Sequence, residues 1–412
     1  MFQRKYSCLA GAVAVAGALA LGGATLQADK QNGNGNGNSQ GNDNSQGNDN
    51  GGTDNGGRVK TVFLIAMENH NWTQPATQTS PMPIFANPYT PFINSLVDGT
   101  SGISDQVAYA RHYINAGVGI HPSEPNYIWA EAGTNFGVAN DDDPYHADCT
   151  PDTVQATHDH LSAYLLQTRQ TWRSYQEDTD IDVTTNDPLP ASQWTVPLSS
   201  QNGVFTAGGV NAYNYSNQYN YAAKHNPMVY FEDTAGGCNR TTSNPMRVNY
   251  APLQQFALDL QNDTVADYNW ITPNQFNDQH TGLKNGYGGP SGTPNKDDRA
   301  NIAQGDNFLA RVVPLIMASK AYQDHGVIVL WWDESEGGDG TDRTLPFIVI
   351  SQDVHPNVKG LPFASDTQFS HSSTLRTLQE IFHVGPNGGF PWLGEAATAT
   401  DLSELFQPGV IH

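Results

Sequence analysis

An α/β fold, with a mainly parallel central sheet covered on both faces by helices, is what this 412-residue sequence predicts. Three observations carry that expectation. Short runs that are apolar throughout recur along the chain, as strands buried on both faces require. Segments with apolar residues at helical spacing alternate with them. Each of several buried runs then breaks abruptly into acids, amides or histidines, and open parallel sheets place their ligands at such strand ends.

Bulk properties narrow the function classes. The length fits one large α/β domain or two to three smaller ones. We find no internal repeat and no second globular domain. Acidic residues number 41 against 19 Lys and Arg, for a net charge of −22, and no basic run tracks phosphates, which argues against a nucleic-acid partner. An acidic protein acting on an anion needs a local positive centre, and a metal ion is the simplest one. Residues 1–28 read as a secretory signal peptide: Arg4 and Lys5, an apolar core from Leu9 to Leu21, then small residues to Ala28. That implies a secreted or periplasmic protein. The alternative is a retained anchor, for which the run is short; no later segment is long and apolar enough to span. Residues 29–57 are Asn/Gly/Ser repeats with nothing to bury, a disordered tether. The catalytic domain is expected over 58–412. Cys149 and Cys238 can pair in an oxidising compartment or stand as separate thiols.

In chain order, Val59 to Met67 predicts a buried strand that stops at Glu68-Asn69-His70-Asn71. Pro91 to Leu96 predicts a short helix and Gln106 to Ala110 a strand. Ser123 follows Pro122 and precedes an apolar run, which puts its hydroxyl at a helix mouth, where free N–H groups favour an anion. The Asp-rich stretch 134–158 predicts a solvated loop. Leu161 to Gln167 predicts a helix, Thr171 to Tyr175 a strand and 179–210 a polar surface excursion. Tyr213 to Lys224 is expected to be helical and Met228 to Phe231 a strand. Then come a helix from Leu253 to Leu260 and a strand from Tyr268 to Thr272, opening onto Asp278 and His280. A long helix is expected from Ile302 to Tyr322, with Pro314 as a kink site. Val327 to Trp332 is the strongest strand signal and ends at Asp333-Glu334. Pro346 to Ile350 is another strand, and a helix carrying Leu375, Leu378 and Ile381 follows, with Ser372 or Ser373 as N-cap.

The strand-end residues converge on one sheet edge if the strands are parallel. Glu68, Asn69, Asp333 and Glu334 offer oxygen ligands, and with the Ser123 hydroxyl they suit a hard cation that would also activate the serine. Asp278, His280 and His371 offer a mixed N/O set suited to zinc, manganese or iron, or act without metal as phosphate donors and a general acid. His121 is a further candidate for metal or substrate contact. Each residue alone also has a plainer reading, as a polar loop, an acidic turn or a helix cap.

The chain resembles the phosphoesterase family of secreted acid phosphatases and bacterial phospholipases C, within the alkaline phosphatase superfamily. The resemblance is carried, in order, by Val62-Phe63-Leu64-Ile65-Ala66-Met67-Glu68-Asn69, His121-Pro122-Ser123-Glu124-Pro125-Asn126-Tyr127, Ser174-Tyr175-Gln176-Glu177, Lys224-His225-Asn226-Pro227, Thr272-Pro273-Asn274 with Asn277-Asp278-Gln279-His280, Trp332-Asp333-Glu334, and Ser370-His371-Ser372-Ser373 with Leu375-Arg376. It implies a three-layer α/β/α sandwich and a phosphoenzyme formed on Ser123. It implies Glu68, Asn69, Ser123, Asp333 and Glu334 around one or two divalent ions (calcium, magnesium, zinc, manganese or iron), with Asp278, His280 and His371 nearby. In the reading this supports, Asn69 donates to the phosphoryl group and His280 or His371 assists the leaving oxygen. The implied substrate is a small phosphate ester. A diesterase of phospholipase C type, or a binding protein that has lost catalysis, are the alternatives. After Glu68-Asn69 many relatives continue Arg/His-Ser-Phe-Asp, whereas this chain has His70-Asn71-Trp72-Thr73.

Overall fold

The computed structural model describes residues 59–288 and 297–411. The expected leader and tether lie outside them. The elements, in order, are β1 (Thr61–Met67), α1 (Pro91–Asp98), β2 (Val107–Ile114), α2 (Ser123–Ala132), α3 (Leu161–Gln167), β3 (Trp172–Gln176), β4 (Gln201–Val204), β5 (Gln218–Tyr221), α4 (Glu232–Ala235), β6 (Tyr250–Pro252), α5 (Leu253–Asn262), β7 (Tyr268–Thr272), α6 (Asp298–Met317), α7 (Lys320–Gln323), β8 (Gly326–Trp332), β9 (Phe347–Ile350), β10 (Phe363–Ser370) and α8 (His371–Ile381).

Eight strands form one sheet in the order β10-β2-β9-β8-β1-β7-β3-β6. Every pairing is parallel except those of β9, which runs against both its neighbours. Strands β7, β8 and β9 are buried at every residue; β8 and β9 accordingly read as unbroken apolar runs, while β7 also buries Asn269 and Thr272. Helices cover both faces. One set joins α1, α5 and α7 to α6, and the other links α2 to α8 and α3, and α3 to α4. The architecture is the expected three-layer sandwich.

Register decides where the chemistry falls. Met67 of β1 pairs with Trp332 of β8, so the next residues, Glu68 and Asp333, leave the sheet side by side. β7 flanks β1 on its other side, also parallel, and ends close to the same edge. Helix α2 is buried at all ten of its residues, so it carries no polar face to mark it as amphipathic. It stops at Gly133, whose φ is +67 and where a Cβ would meet the Leu393 carbonyl oxygen at 2.3 Å.

Four local expectations are corrected. The Tyr213 to Lys224 stretch is not helical. It contains β5, which pairs antiparallel with β4, and the Asn and Tyr residues there are poor helix formers. Met228 to Phe231 is not a strand: Pro227–Tyr230 is a 3-10 turn, and its apolar side chains are buried without belonging to the sheet. The long helix ends at Met317, and Ser319 caps a separate short helix by accepting from the Tyr322 N–H at 3.2 Å. The cap of α8 is Ser370, not Ser372 or Ser373, because β10 runs straight into the helix. Ser373 completes a capping box by accepting from the Ser370 N–H at 3.1 Å. Cys149 and Cys238 are joined by a disulfide.

Candidate active site

Ser123 is the first residue of α2, at 1% exposure. Its Oγ donates to Glu68 Oε2 at 3.1 Å. One turn later on the same helix, the Tyr127 hydroxyl donates to Glu68 Oε1 at 2.5 Å. Glu68, the first residue past β1, is therefore gripped on both oxygens by α2. Neighbouring Asn69 adopts a left-handed turn with φ +36. That turn points its N–H at Asp333 Oδ1 (3.0 Å) and its Nδ2 at Glu334 Oε1 and Glu336 Oε1 (3.1 Å each). Ser123, Glu68, Asn69 and Asp333 thus sit together at one sheet edge.

The β7 end adds a second group. Asp278 is fully buried. Its Oδ1 accepts from the His280 N–H at 2.8 Å, and its Oδ2 lies 3.1 Å from His225 Nδ1. His225 stacks on Tyr127 with ring centroids 5.2 Å apart. Its Nε2 lies 3.1 Å from Glu68 Oε1, yet without hydrogen-bond geometry. Donor atoms of Glu68, His225 and His280 all fall within 4.8 Å of one another. Neither His225 nor Tyr127 was assigned a role from sequence. The available signals were the titratable pair Lys224-His225 and the one-turn spacing of Tyr127 from Ser123.

Three buried polar atoms here have no hydrogen-bond partner: Asn69 Oδ1, Asp333 Oδ2 and His225 Nε2. Buried polar atoms are ordinarily satisfied, and all three carry lone pairs. Each belongs to a residue that adjoins Glu68, and such lone pairs are what a divalent cation would satisfy. The Asp278–His225 contact has the form of a carboxylate that orients a metal-binding imidazole. Electrostatics agree. Burial pushes the Glu68 carboxyl well up, and Asp333 and Asp278 push it further. Asp333 is raised by burial and by Glu334. Such a carboxylate cluster is costly without a countercharge. The residues fit a metal centre, with His225 added to the donors foreseen.

The other sequence candidates fall into two positions. Glu334 has both oxygens engaged, Oε1 by Asn69 and Oε2 by His121 Nδ1. His121 also lies 3.0 Å from Asp339 Oδ1 through Nε2, and its hydrogen bond with Glu334 raises it to about 9. His371 lies in the core. Its Nδ1 accepts from Trp331 Nε1 at 2.9 Å, so the ring proton is on Nε2, which donates to the Asp333 carbonyl. His280 is half-buried. Its Nδ1 contacts Thr281 Oγ1 at 2.8 Å and its Nε2 the Lys224 Nζ at 3.3 Å. Burial, then Lys224, lowers it to about 4. The floor of the site is therefore Glu68, Ser123, His225 and Asp333, while Asn69, His121, Lys224 and His280 reach toward solvent.

A buried serine at a helix N-terminus, beside a carboxylate–histidine cage at the carboxyl edge of a parallel sheet, defines a class of α/β hydrolytic enzyme. The chain belongs to the phosphoesterase family, whose model matches residues 24–385. It is similar to phosphatidylinositol-3-phosphatase of Mycobacterium tuberculosis, at 25% identity over 78% of each chain. It is also similar to the phosphate-repressible acid phosphatase of Penicillium chrysogenum and an acid phosphatase of Aspergillus fumigatus. Each is 25% identical over 69% of this chain, and the match spans 53% and 50% of their own lengths. The chain thus matches about half the length of those fungal relatives. Among solved structures it is similar to a Vibrio parahaemolyticus protein described as in the alkaline phosphatase superfamily, at 11% identity and TM-score 0.40, covering 79% of this chain and 67% of that one. No described helix is long and apolar enough to cross a membrane.

Proposed function

We propose that the protein is a secreted, metal-dependent phosphomonoesterase of acid-phosphatase type that works through a phosphoserine at Ser123. The observation that carries the reading is the Ser123–Glu68 hydrogen bond, set beside three unpartnered buried donor atoms at one sheet edge. The names of the mycobacterial and fungal relatives, all phosphatases, support it.

A divalent cation held by Glu68, Asn69, Asp333 and His225 would supply positive charge for the serine oxygen and the phosphoryl group. The chain's own groups do the rest. Glu68 accepts the Ser123 proton's hydrogen bond and so aims the lone pairs of Oγ toward the cleft. The α2 N-terminus favours the serine as an anion. Asn69 is held by Glu334 and Glu336 against rotation. Tyr127 fixes Glu68 from the opposite side. His371 anchors the Asp333 main chain, a positioning role, and His280 is the histidine on the solvent side that meets the leaving oxygen. Oγ gives up its proton through Glu68 and forms the bond to phosphorus as the bond from phosphorus to the leaving oxygen breaks, and that proton ends on the leaving alcohol; water then cleaves the phosphoserine to free phosphate and serine.

Ser123→Ala tests this directly. It should lower p-nitrophenyl phosphate turnover by at least about a thousandfold with an unchanged circular dichroism spectrum. Retention of more than a tenth of wild-type turnover would sink the phosphoserine scheme. Elemental analysis of the purified protein tests the metal.

A further inference from the structure

Lys224 is the one lysine or arginine among the described residues that the site residues contact, and neither the fold nor the mechanism above has used it. It lies on the 3-10 turn Ala223–His225, immediately before His225. Its Nζ is 3.3 Å from His280 Nε2 and 2.8 Å from Asp141 Oδ2. Within a protein of net charge −22, its side chain is only 14% exposed. The ammonium therefore stands between a site histidine and an acid of the neighbouring loop, mostly shielded from solvent.

Its two partners differ in kind. His280 Nε2 is an uncharged acceptor on the solvent side of the site. Asp141 stands on the outer side, 31% exposed, where an ion pair is weakly held and readily exchanged for another anion. His121, the other cationic group at the rim, has Glu334 on one nitrogen and Asp339 on the other, and so offers no free donor. Lys224 is left as the group whose charge can turn from Asp141 to an incoming ligand.

We propose that Lys224 is a specificity-determining residue that takes a non-bridging oxygen of the phosphoryl group, displacing Asp141, and thereby selects dianionic phosphate monoesters over monoanionic diesters. The proposal rests on the phosphoesterase reading above. A monoester presents three non-bridging oxygens carrying two charges. A diester presents two such oxygens and one charge. An added ammonium therefore favours the monoester, and a point charge on a flexible stem suits an oxygen whose position shifts during transfer.

The test compares Lys224→Met and Lys224→Arg with the wild type in the metal-loaded protein. kcat/KM is measured for p-nitrophenyl phosphate and for bis(p-nitrophenyl) phosphate, with inhibition by inorganic phosphate alongside. Losing one charged contact to a phosphoryl oxygen should lower monoester kcat/KM by about a hundredfold or more, and diester kcat/KM by less than about threefold. Phosphate should inhibit about tenfold more weakly, and Arg should restore much of the monoester rate. Equal losses on both esters, or a monoester rate unaffected in the Met variant, would overturn the proposal. So would a wild type that prefers the diester. If the wild type hydrolyses neither ester, the phosphoesterase reading fails separately. Phosphate binding by calorimetry then judges Lys224: weaker binding in the Met variant supports it and unchanged binding overturns it.

Discussion

Replacing Asp278 by Asn is the sharpest probe of the cage. Asp278 uses one oxygen for the His280 N–H at 2.8 Å and the other for His225 Nδ1 at 3.1 Å. An amide keeps the shape but only one acceptor oxygen, so one of those two donors faces an NH2 group. Leaving a buried donor unsatisfied costs about 1–3 kcal/mol. The alternative is for His225 to move its proton to Nε2, the atom that faces Glu68, and that removes the lone pair a metal needs. Either way the oriented imidazole is lost, and such outer partners are worth about 10–100-fold in metal affinity, or ~1.4–2.7 kcal/mol. The assay is activity and bound metal across a series of chelator-buffered free-metal concentrations. The midpoint should move up by that factor, with kcat at saturation within about threefold of wild type. Superimposable curves would refute His225 as a ligand. An unchanged midpoint with a collapsed kcat would do the same, and would move Asp278 into the chemistry itself.

Two further outcomes concern the scaffold. His160 is fully buried between Asp233, 2.8 Å from Nε2, and Glu131, 3.5 Å from Nδ1; burial opposes its charge, but the two carboxylates outweigh it and raise it above its ordinary value. Its ion-pair stabilisation is therefore complete below about pH 6.5 and fades as pH rises through the raised value, so His160→Gln should lower the melting temperature markedly at pH 5.5 and far less at pH 9.5; an equal drop at both would refute a charged His160. The Cys149–Cys238 disulfide closes a separation of 89 residues, so replacing both cysteines by serine should cost up to ~4–5 kcal/mol by the chain-entropy model, read as a lower denaturation midpoint, and an unchanged midpoint would show that the unfolded chain is already restrained there.

How much of this was legible in the sequence depends on how each residue is placed. Glu68 and Asp333 could be read because each comes directly after a strongly apolar strand, and Asp278 because it lies in the polar loop onto which β7 opens; a parallel sheet sends such ends to one edge. Ser123 was legible from Pro122 before it and the apolar run after it. His225 was not, because it sits on a 3-10 turn whose apolar neighbours, Met228 to Phe231, imitate a strand. Its contact with Glu68 depends on the packing of α2, which no local pattern encodes. The strand β10 was missed because an edge strand is only partly buried, and its Phe363-Ala364-Ser365-Asp366 sequence lacks strict alternation. His371 was expected to assist the leaving oxygen, whereas it lies in the core on the Asp333 carbonyl, an orientation that depends on Trp331, a partner 40 residues earlier.

The pairing of Met67 with Trp332 has one more consequence. Glu68 and Asp333 are supplied by segments 265 positions apart, and they become neighbours only when β1 zips against β8 in that alignment. A slip by one position would send Glu68 and Asp333 to opposite faces of the sheet. A nascent or truncated polypeptide that stops short of β8 lacks Asp333. Enzymatic turnover is therefore a gauge of correct alignment along the whole chain. Refolding followed by activity should lag behind refolding followed by helix signal, because catalysis requires this long-range pairing and helix formation does not.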